Sequence, residues 1–240
     1  MPGLYRDEGI VLRTIRLGEA DRIVTILTLG HGKIRAVAKG VRRTTSRFGA
    51  RLEPTSRVAL QCYRGRDLDT VTQVETLEVH RALREDYTLL THAVTMLEVV
   101  DQVSPDREPN PALFRMLVGA LRTLDTTPSP VVTPGFLWKV LTLEGVRPHL
   151  ETCVRCGAAE ATYPAIDLVE GGVLCGACGR LGGLRISPEG LELLGLLVGG
   201  GLHRALAEPP STTVIAEVER LGVVAVEAHS ERRLRSAALL

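Results

Sequence analysis

The sequence predicts an α+β, multidomain chain: an N-terminal five-stranded barrel of the OB-fold kind, then a C-terminal helical domain with an inserted four-cysteine zinc module. Three observations predict it. Short β-rich runs fill the first eighty residues, the hydrophobic period changes to three and four residues after His80, and Cys153, Cys156, Cys175 and Cys178 form two C-x2-C pairs. The expected segments are 1–79 for the barrel, 80–149 for the first helical part, 150–180 for the zinc module and 181–240 for the second helical part.

The strands follow in order. Gly9–Leu17 mixes Ile10, Val11, Leu12 and Ile15 with Arg13, Thr14 and Arg16, and Gly18-Glu19-Ala20-Asp21 reads as a turn. Arg22–Leu29 is rich in β-branched residues, Gly30-His31-Gly32 is tight enough for a hairpin, and Lys33–Ala38 alternates polar with apolar side chains. Arg57–Tyr63 and Leu68–Leu77 supply the last two strands, joined through Arg64-Gly65-Arg66-Asp67. Five short strands with one long interruption, Gly40–Ser56, suit a small closed Greek-key barrel, with an SH3-like barrel as the competing arrangement. Cys62, alone in an apolar strand, reads as a small buried hydrophobe.

From His80 onward, Leu83, Tyr87, Leu90, Val94, Leu97 and Val100 mark one long amphipathic helix, stopped at Ser104-Pro105. Asn110-Pro111 opens a second helix with Asn as cap and Pro in the first turn, and Thr133-Pro134 repeats the device after a surface loop over 126–134. That third helix ends at Gly145. Ser187-Pro188-Glu189 opens another that runs through Leu197 to the three glycines 199–201, and a final helical region begins at Thr213. His92 reads as a surface or boundary residue on the first helix.

The cysteine spacing is that of a zinc ribbon or knuckle. Tight turns aim each thiolate pair at one point, and two pairs complete a tetrahedron. Four thiolates fill the coordination shell and leave no open position for water, so the expected cofactor is a structural Zn2+. The alternative is a redox pair or disulfides, but both pairs lie in Gly-containing loops and not between a strand and a helix of a βαβ unit. The module's own charge is mixed, which assigns it to bracing a connection poor in apolar residues rather than to reading nucleic acid.

Hydrophobic residues make up 45% of the 240, enough for a real core, while aromatics make up 3%, so that core rests on Leu, Val, Ile and Ala. The charged start lacks the apolar stretch of a signal peptide and no run reaches the length of a membrane span, so a cytoplasmic protein with reduced thiols and no membrane partner is expected. Net charge is +1. Its distribution is uneven: residues 33–57 hold Lys33, Arg35, Lys39, Arg42, Arg43, Arg47, Arg51 and Arg57 against Glu53 alone, a local +7 that the remainder of the chain offsets with −6. Lys33, Arg35, Lys39, Arg42, Arg43, Ser46, Arg47 and Arg51 are therefore the candidate nucleic-acid contacts. Guanidinium groups grip phosphates through paired N–H donors, and a serine hydroxyl adds a short-range donor. The alternative for such a run is a solvated loop. Only Tyr5, Phe48 and Tyr63 offer aromatic rings in the barrel region, so binding led by phosphate contacts, accepting single and double strands and weakening steeply with salt, is expected. Phe48 could stack on a base or plug the barrel end.

Signatures of catalysis are missing. The sequence has no G-x-x-x-x-G-K-[ST], no H-E-x-x-H and no H-x-E beside the cysteines, and its six histidines show no ligand spacing. A non-enzymatic protein is expected. A metal-dependent nuclease assembled from scattered carboxylates and a zinc-ribbon adaptor that binds only protein are the alternatives.

Several stretches in order along nearly the whole chain resemble one family. They are Glu8–Arg13 followed by Gly18–Arg22, then His31–Arg43 with Ser46-Arg47, then Tyr63-Arg64-Gly65-Arg66, Leu83–Asp86, Pro109-Asn110-Pro111, and Gly171–Cys175 within the cysteine segment. The chain resembles the RecO family of bacterial recombination mediators in DNA repair. The resemblance implies an N-terminal OB-fold, a helical domain and a zinc module, binding of single- and double-stranded DNA, and annealing of complementary strands. It also implies partnership with RecR and with the C-terminal tail of single-stranded DNA-binding protein, so that RecA loads onto covered strands. Trp138 and Lys139 would suit such a tail, although Trp138 also reads as core.

Overall fold

The computed structural model describes residues 3–42, 46, 48–160 and 162–239. The chain forms two compact units, one running to Pro128 and the other spanning Ser129–Ala238.

In the first unit, β1 (Leu4–Leu17), β2 (Asp21–Thr28), β3 (Gly32–Ala38), β4 (Arg57–Tyr63) and β5 (Asp69–Glu78) close a barrel in the order β1-β2-β3-β5-β4. The pairings are antiparallel except for a short parallel join, Ala36 to Asp69 and Val37 to Thr70, where β3 meets β5. This is the OB arrangement, and it sets aside the SH3-like alternative. Alternation along the strands turns Val24, Ile26, Ile34, Ala36, Val58, Leu60, Cys62 and Val71 inward. Cys62 is fully buried, and burial pushes its thiol up to about 12. The first strand begins five residues before the expected Gly9, because Leu4–Glu8 pair with Ala59–Tyr63 and so complete the closure.

Outside the barrel, Ile10, Leu12 and Leu27 are also buried. Here α2 packs on β1 and β2. The expected single helix from His80 is in fact two, α1 (Arg81–Glu85) and α2 (Tyr87–Val103). Asp86 breaks it by turning extended and accepting a hydrogen bond from the Leu89 amide at 3.0 Å, as an N-cap carboxylate does. His92, on α2, is buried and not at the surface. The third helix, α3 (Pro111–Thr126), starts as expected: the Asn110 side chain caps the Leu113 amide, and Pro111 occupies the first turn.

The connector between α2 and α3 completes the barrel wall. The Arg107 amide donates to the Lys33 carbonyl at 2.8 Å, and Asp106 bridges to Lys33 in parallel fashion. Gly32 makes this approach possible: its φ is +68, and a Cβ there would lie 2.2 Å from the Glu108 carbonyl oxygen. Side chains reinforce the join. Asp69, fully buried at the start of β5, accepts from Arg107 Nη2 at 2.9 Å, from the Gly65 amide at 3.0 Å and from the Tyr5 hydroxyl. Burial pushes the Asp69 carboxyl up, but the hydrogen bonds from Arg107, Tyr5 and Gly65 outweigh it and hold the group below the usual carboxylate range.

A second carboxylate ties β5 to α3. Glu78 accepts from Arg122 Nε at 2.8 Å and Nη2 at 2.9 Å, and from Arg57 Nη1 at 3.1 Å. These donors, Arg122 first, hold it down to about 2 against the effect of burial. A depressed folded value means that its contribution is complete above the ordinary glutamate range and disappears as pH falls toward 2. The melting temperature of Glu78→Gln is therefore expected to fall less steeply than that of the parent between about pH 5 and pH 2. Superimposable acid limbs in thermal scans would contradict this.

In the second unit, α4 (Val132–Leu143) is buried along nearly its whole length, including Phe136, Leu137, Trp138 and Val140. It does not begin with Thr133 as cap and Pro134 in first position. Val131 and Val132 are both fully buried, so packing draws the helix start back, and the Thr133 side chain is itself inside. Gly145, at φ +83, ends it, with the Val146 amide bonded to the Leu141 carbonyl at 2.7 Å. Trp138 is core and donates its indole N–H to the Val218 carbonyl at 3.1 Å. The cysteine module follows: β6 (Ala165–Asp167), β7 (Gly172–Leu174), a single helical turn α5 (Gly176–Gly179) and β8 (Leu184–Arg185), with sheet order β7-β6-β8. Next come α6 (Pro188–Val198), capped by Ser187 as expected, an unexpected short α7 (Leu202–Ala207) and α8 (Thr212–Ser230). The helices α4, α6 and α8 pack together. Among the described residues, no helix is long and apolar enough to cross a membrane.

Candidate nucleic-acid interface and metal centre

The long β3–β4 connection leaves the barrel beside the β1–β2 turn. The Gly40 amide donates to Asp21 Oδ1 at 2.7 Å, and the Arg42 amide to the Ala20 carbonyl at 3.0 Å. The Arg42 guanidinium lies over the same turn and donates to the Glu19 carbonyl at 2.9 Å. Carbonyl partners orient this group without cancelling its charge. Ser46 Oγ accepts from the Phe48 and Gly49 amides at 3.2 and 3.3 Å, which turns the chain into a 3-10 turn at Gly49–Leu52. Leu52 is buried in the barrel core, and Phe48, half-buried, packs against it. Glu53, the lone acid of the basic segment, pairs with Arg22 at 2.6 Å.

The eight candidate contacts are thus placed differently. Lys39, Arg42 and Arg51 are exposed around this mouth, and Ser46 is half-buried beside them. Arg35 is exposed on the outer face of β3. Arg43 and Arg47 lie outside the described residues. Lys33 stands apart at the other end of β3. Its ammonium is 11% exposed, donates to the Asp101 carbonyl at 2.6 Å, and lies 3.4 and 3.5 Å from the carboxylates of Asp101 and Asp106. Arg57, counted in the local charge, is held by Glu8 and Glu78. Among the described residues, Arg35, Lys39 and Arg42 carry no ion pair. Arg16, outside the eight candidates, is also exposed and shares the register row of Arg22 and Ala38 at the same mouth. Its signal was the closeness of Arg13 and Arg16 to the first turn.

In the second unit, one thiol from each of Cys153, Cys156, Cys175 and Cys178 converges, all four within 4.8 Å of one another. The two C-x2-C turns cause this. The Gly157 amide bonds the Cys153 carbonyl at 2.8 Å, the Gly179 amide bonds the Cys175 carbonyl at 2.8 Å, and the Cys178 amide points at Cys175 Sγ, 3.5 Å away. A tetrahedral ion with metal–sulfur bonds of about 2.3 Å spaces sulfurs about 3.8 Å apart, and the Cys156–Cys175 separation is 3.6 Å. The cluster can therefore hold a metal ion. Amides, that of Cys175 foremost and then those of Cys156 and Arg155, hold the Cys153 thiol down to about 6, whereas hydrogen bonding to Cys175, followed by burial, pushes Cys178 up to about 12. Four thiolates do not coexist in so small a volume without a cation.

The surroundings fix the knot. Arg155 reaches Asp167 at 3.1 Å and Glu170 at 2.8 Å across the β6–β7 turn. The Tyr163 hydroxyl donates to the Glu151 carbonyl at 2.7 Å, and Glu160 accepts from the Gly176 amide at 3.0 Å. Among the described residues, the buried members of the module's inner cluster besides the cysteines are Tyr163, Ala165, Val173 and Leu174, with Leu150, Val154, Ala158 and Leu191 packed partly buried against them. So small an apolar cluster contributes little burial of its own to this segment.

An OB barrel with a cationic mouth, followed by helices that carry a four-thiol knot, defines a two-unit barrel-and-knuckle protein. Comparison with known proteins narrows this. The family Recombination protein O N terminal matches residues 1–80, and Recombination protein O C terminal matches residues 84–238. The DNA repair protein RecO of Nocardioides sp. is 45% identical over 242 residues, which cover 98% of both chains. Those of Bifidobacterium longum and Cutibacterium acnes are 44% and 43% identical, with at least 98% of each chain covered. The chain belongs to the RecO family.

Proposed function

We propose that this protein is a DNA-binding recombination mediator that performs no chemistry of its own. It binds single- and double-stranded DNA, anneals complementary strands and, with RecR, assists the loading of RecA onto strands covered by single-stranded DNA-binding protein, whose C-terminal tail it engages. Family membership supports the mediator role. The observation that carries the DNA contact is the mouth of the barrel, where Lys39 and Arg42 stand exposed and unmatched by carboxylates among the described residues. Arg35 and Arg51 extend that surface, and Arg43, Ser46 and Arg47 belong to the same loop.

The physics suits annealing. Two polyanions approach one another only if their repulsion is lowered, and they pair only if their base edges stay free. Cationic side chains that contact phosphates and leave the bases untouched satisfy both demands. The four segments divide the labour: 1–79 carries DNA contacts, 80–149 and 181–240 are helical, and 150–180, closed around a structural Zn2+ by Cys153, Cys156, Cys175 and Cys178, braces the long connection it forms.

The Lys39→Ala/Arg42→Ala protein is expected to bind every DNA sequence at least tenfold more weakly at moderate salt. The slope of log affinity against log salt should become shallower by one to two, roughly one for each lost phosphate contact. Thermal stability should stay within about 0.5 kcal/mol. Gel-shift series over salt read this directly. Undiminished annealing by the double variant would remove the loop from the account. Salt-independent behaviour with no DNA shift would favour the protein-only adaptor, and cleavage with magnesium or manganese would favour a nuclease.

A further inference from the structure

The strand registers place six side chains in one row around the outer wall of the barrel. Leu4 on β1 faces Tyr63 on β4, Tyr63 faces Thr70 on β5, and Thr70 faces Val37 on β3. Val37 in turn faces Ile23 on β2, and Ile23 faces Ile15 near the far end of β1. Among the described residues, both ends of the row are open to solvent. Leu4 is 57% exposed, Tyr63 49% and Ile15 45%, while Thr70, Val37 and Ile23 are half-buried. Cations border it on β3. Alternation puts Arg35 two residues before Val37, on the same face, and Lys39 two residues after it, and both are exposed. Arg64 adjoins Tyr63, with its guanidinium carbon 5.8 Å from the centre of the Tyr5 ring.

This pattern is unlike that of the basic mouth. There the groups are charges and hydrogen-bond donors, which serve duplex and single strand alike. Here a half-exposed aromatic ring and aliphatic side chains form a row that Arg35 and Lys39 flank on β3 and Arg64 adjoins on the β4 side. Apolar surface of this kind gains nothing from the hydrophilic outside of a duplex, but it matches the faces of unpaired bases, with phosphates falling to the cations alongside. The seat is also rigid. The hairpin after Tyr63 is pinned by the Gly65 amide on Asp69, which is itself held by Arg107 and Tyr5. Asp67 is the one acid in that hairpin, opposite Arg64 and Arg66.

The geometry points to a single-strand-selective seat on the outer barrel wall, in which Tyr63 stacks on an unpaired base while Arg35 and Lys39 hold the flanking phosphates. It rests on the DNA-binding reading above and adds to it the residue that separates single from double strands. The ligand is single-stranded nucleic acid laid across β4, β5, β3 and β2. Lys39 is shared with the cationic mouth, but the discrimination between single and double strands rests on Tyr63 alone, and the four-thiol module takes no part in it.

The test compares an oligothymidylate with a duplex of equal length on the full-length protein. Tyr63→Ala is expected to weaken oligothymidylate binding about tenfold and leave duplex binding within twofold, while Tyr63→Phe keeps both. The Lys39→Ala/Arg42→Ala protein, in contrast, should weaken both ligands. Photocrosslinking of an oligonucleotide carrying 5-iodo-deoxyuridine to the unaltered protein provides a reading that needs no variant, and the expected adduct is on Tyr63. Equal losses for both ligands in Tyr63→Ala, no loss for either, or crosslinks that bypass Tyr63 would overturn the seat. If the unaltered protein bound neither ligand, the DNA-binding reading itself would fail, a result distinct from a failure of the seat alone.

Discussion

Arg107→Ala is expected to destabilise the first unit by about 3 kcal/mol, the lower end of the range for removing one partner of a buried ion pair, because Arg107 itself is one-third exposed. A shift of this size corresponds to a loss of roughly 10 °C in Tm. The cost falls on Asp69, which is fully buried and would keep only the Tyr5 hydroxyl and the Gly65 amide as donors. Backbone strain does not enter: residue 107 has φ +63, and alanine meets the same Cβ restriction there as arginine. The acid limb provides a second reading. In the parent, Asp69 titrates below the usual carboxylate range, so the pair contributes fully above about pH 4 and fades as pH falls through the depressed value. In the variant the foremost of the hydrogen bonds opposing burial is gone and the carboxyl titrates higher than in the parent, which favours the protonated, acid-side fold. The gap in stability between the two proteins should therefore narrow below about pH 4. Thermal melts from pH 3 to 8 measure it, and a constant gap would rule out Asp69 as its source.

The second large effect concerns the knot. Purified protein is expected to carry one zinc per chain. Removal of the metal by a chelator, or Cys175→Ser, should open residues 153–186 to rapid amide exchange while the barrel amides stay protected. The cause is the shortage of alternatives. The module's sheet has two or three residues per strand, and its cluster holds few apolar side chains beyond the cysteines themselves. With the crosslink gone, neither burial nor ladder hydrogen bonds suffice to order the segment. Full exchange protection in metal-free protein would show that packing alone maintains it.

How much of this was legible in the sequence depended on how local the cause was. The barrel strands and the Asn110 and Ser187 caps were readable because alternation and capping act within a few residues. The four cysteines were readable because ligand chemistry tolerates few spacings. The start of α4 was not, since burial of Val131 and Val132 overrode the Thr-Pro signal at 133–134. The break at Asp86 was hidden beneath an unbroken apolar period, although an Asp three residues before Leu89 is a capping signal in itself. Charge was read correctly as a local excess but not as a set of individual fates. Nothing nearby in sequence reveals that Lys33 is matched by Asp101 and Asp106, some seventy residues away, or that Arg57 serves Glu8 and Glu78. The same holds for Tyr63, whose place in a circumferential row exists only once five registers are fixed.

The join at Lys33 bears on where the first unit can be divided. The ladder between β3 and β5 is only two residues long, and the backbone of Lys33 is satisfied by Arg107 instead. A fragment ending near residue 80 would hold all five strands yet present an open sheet margin, with the Lys33 ammonium stripped of Asp101 and Asp106 beside it. Such a margin invites pairing with another chain. The barrel is therefore complete as a list of strands well before it is complete as a solvent-tolerant surface, and the smallest self-sufficient piece of this polypeptide extends past the α2–α3 connector.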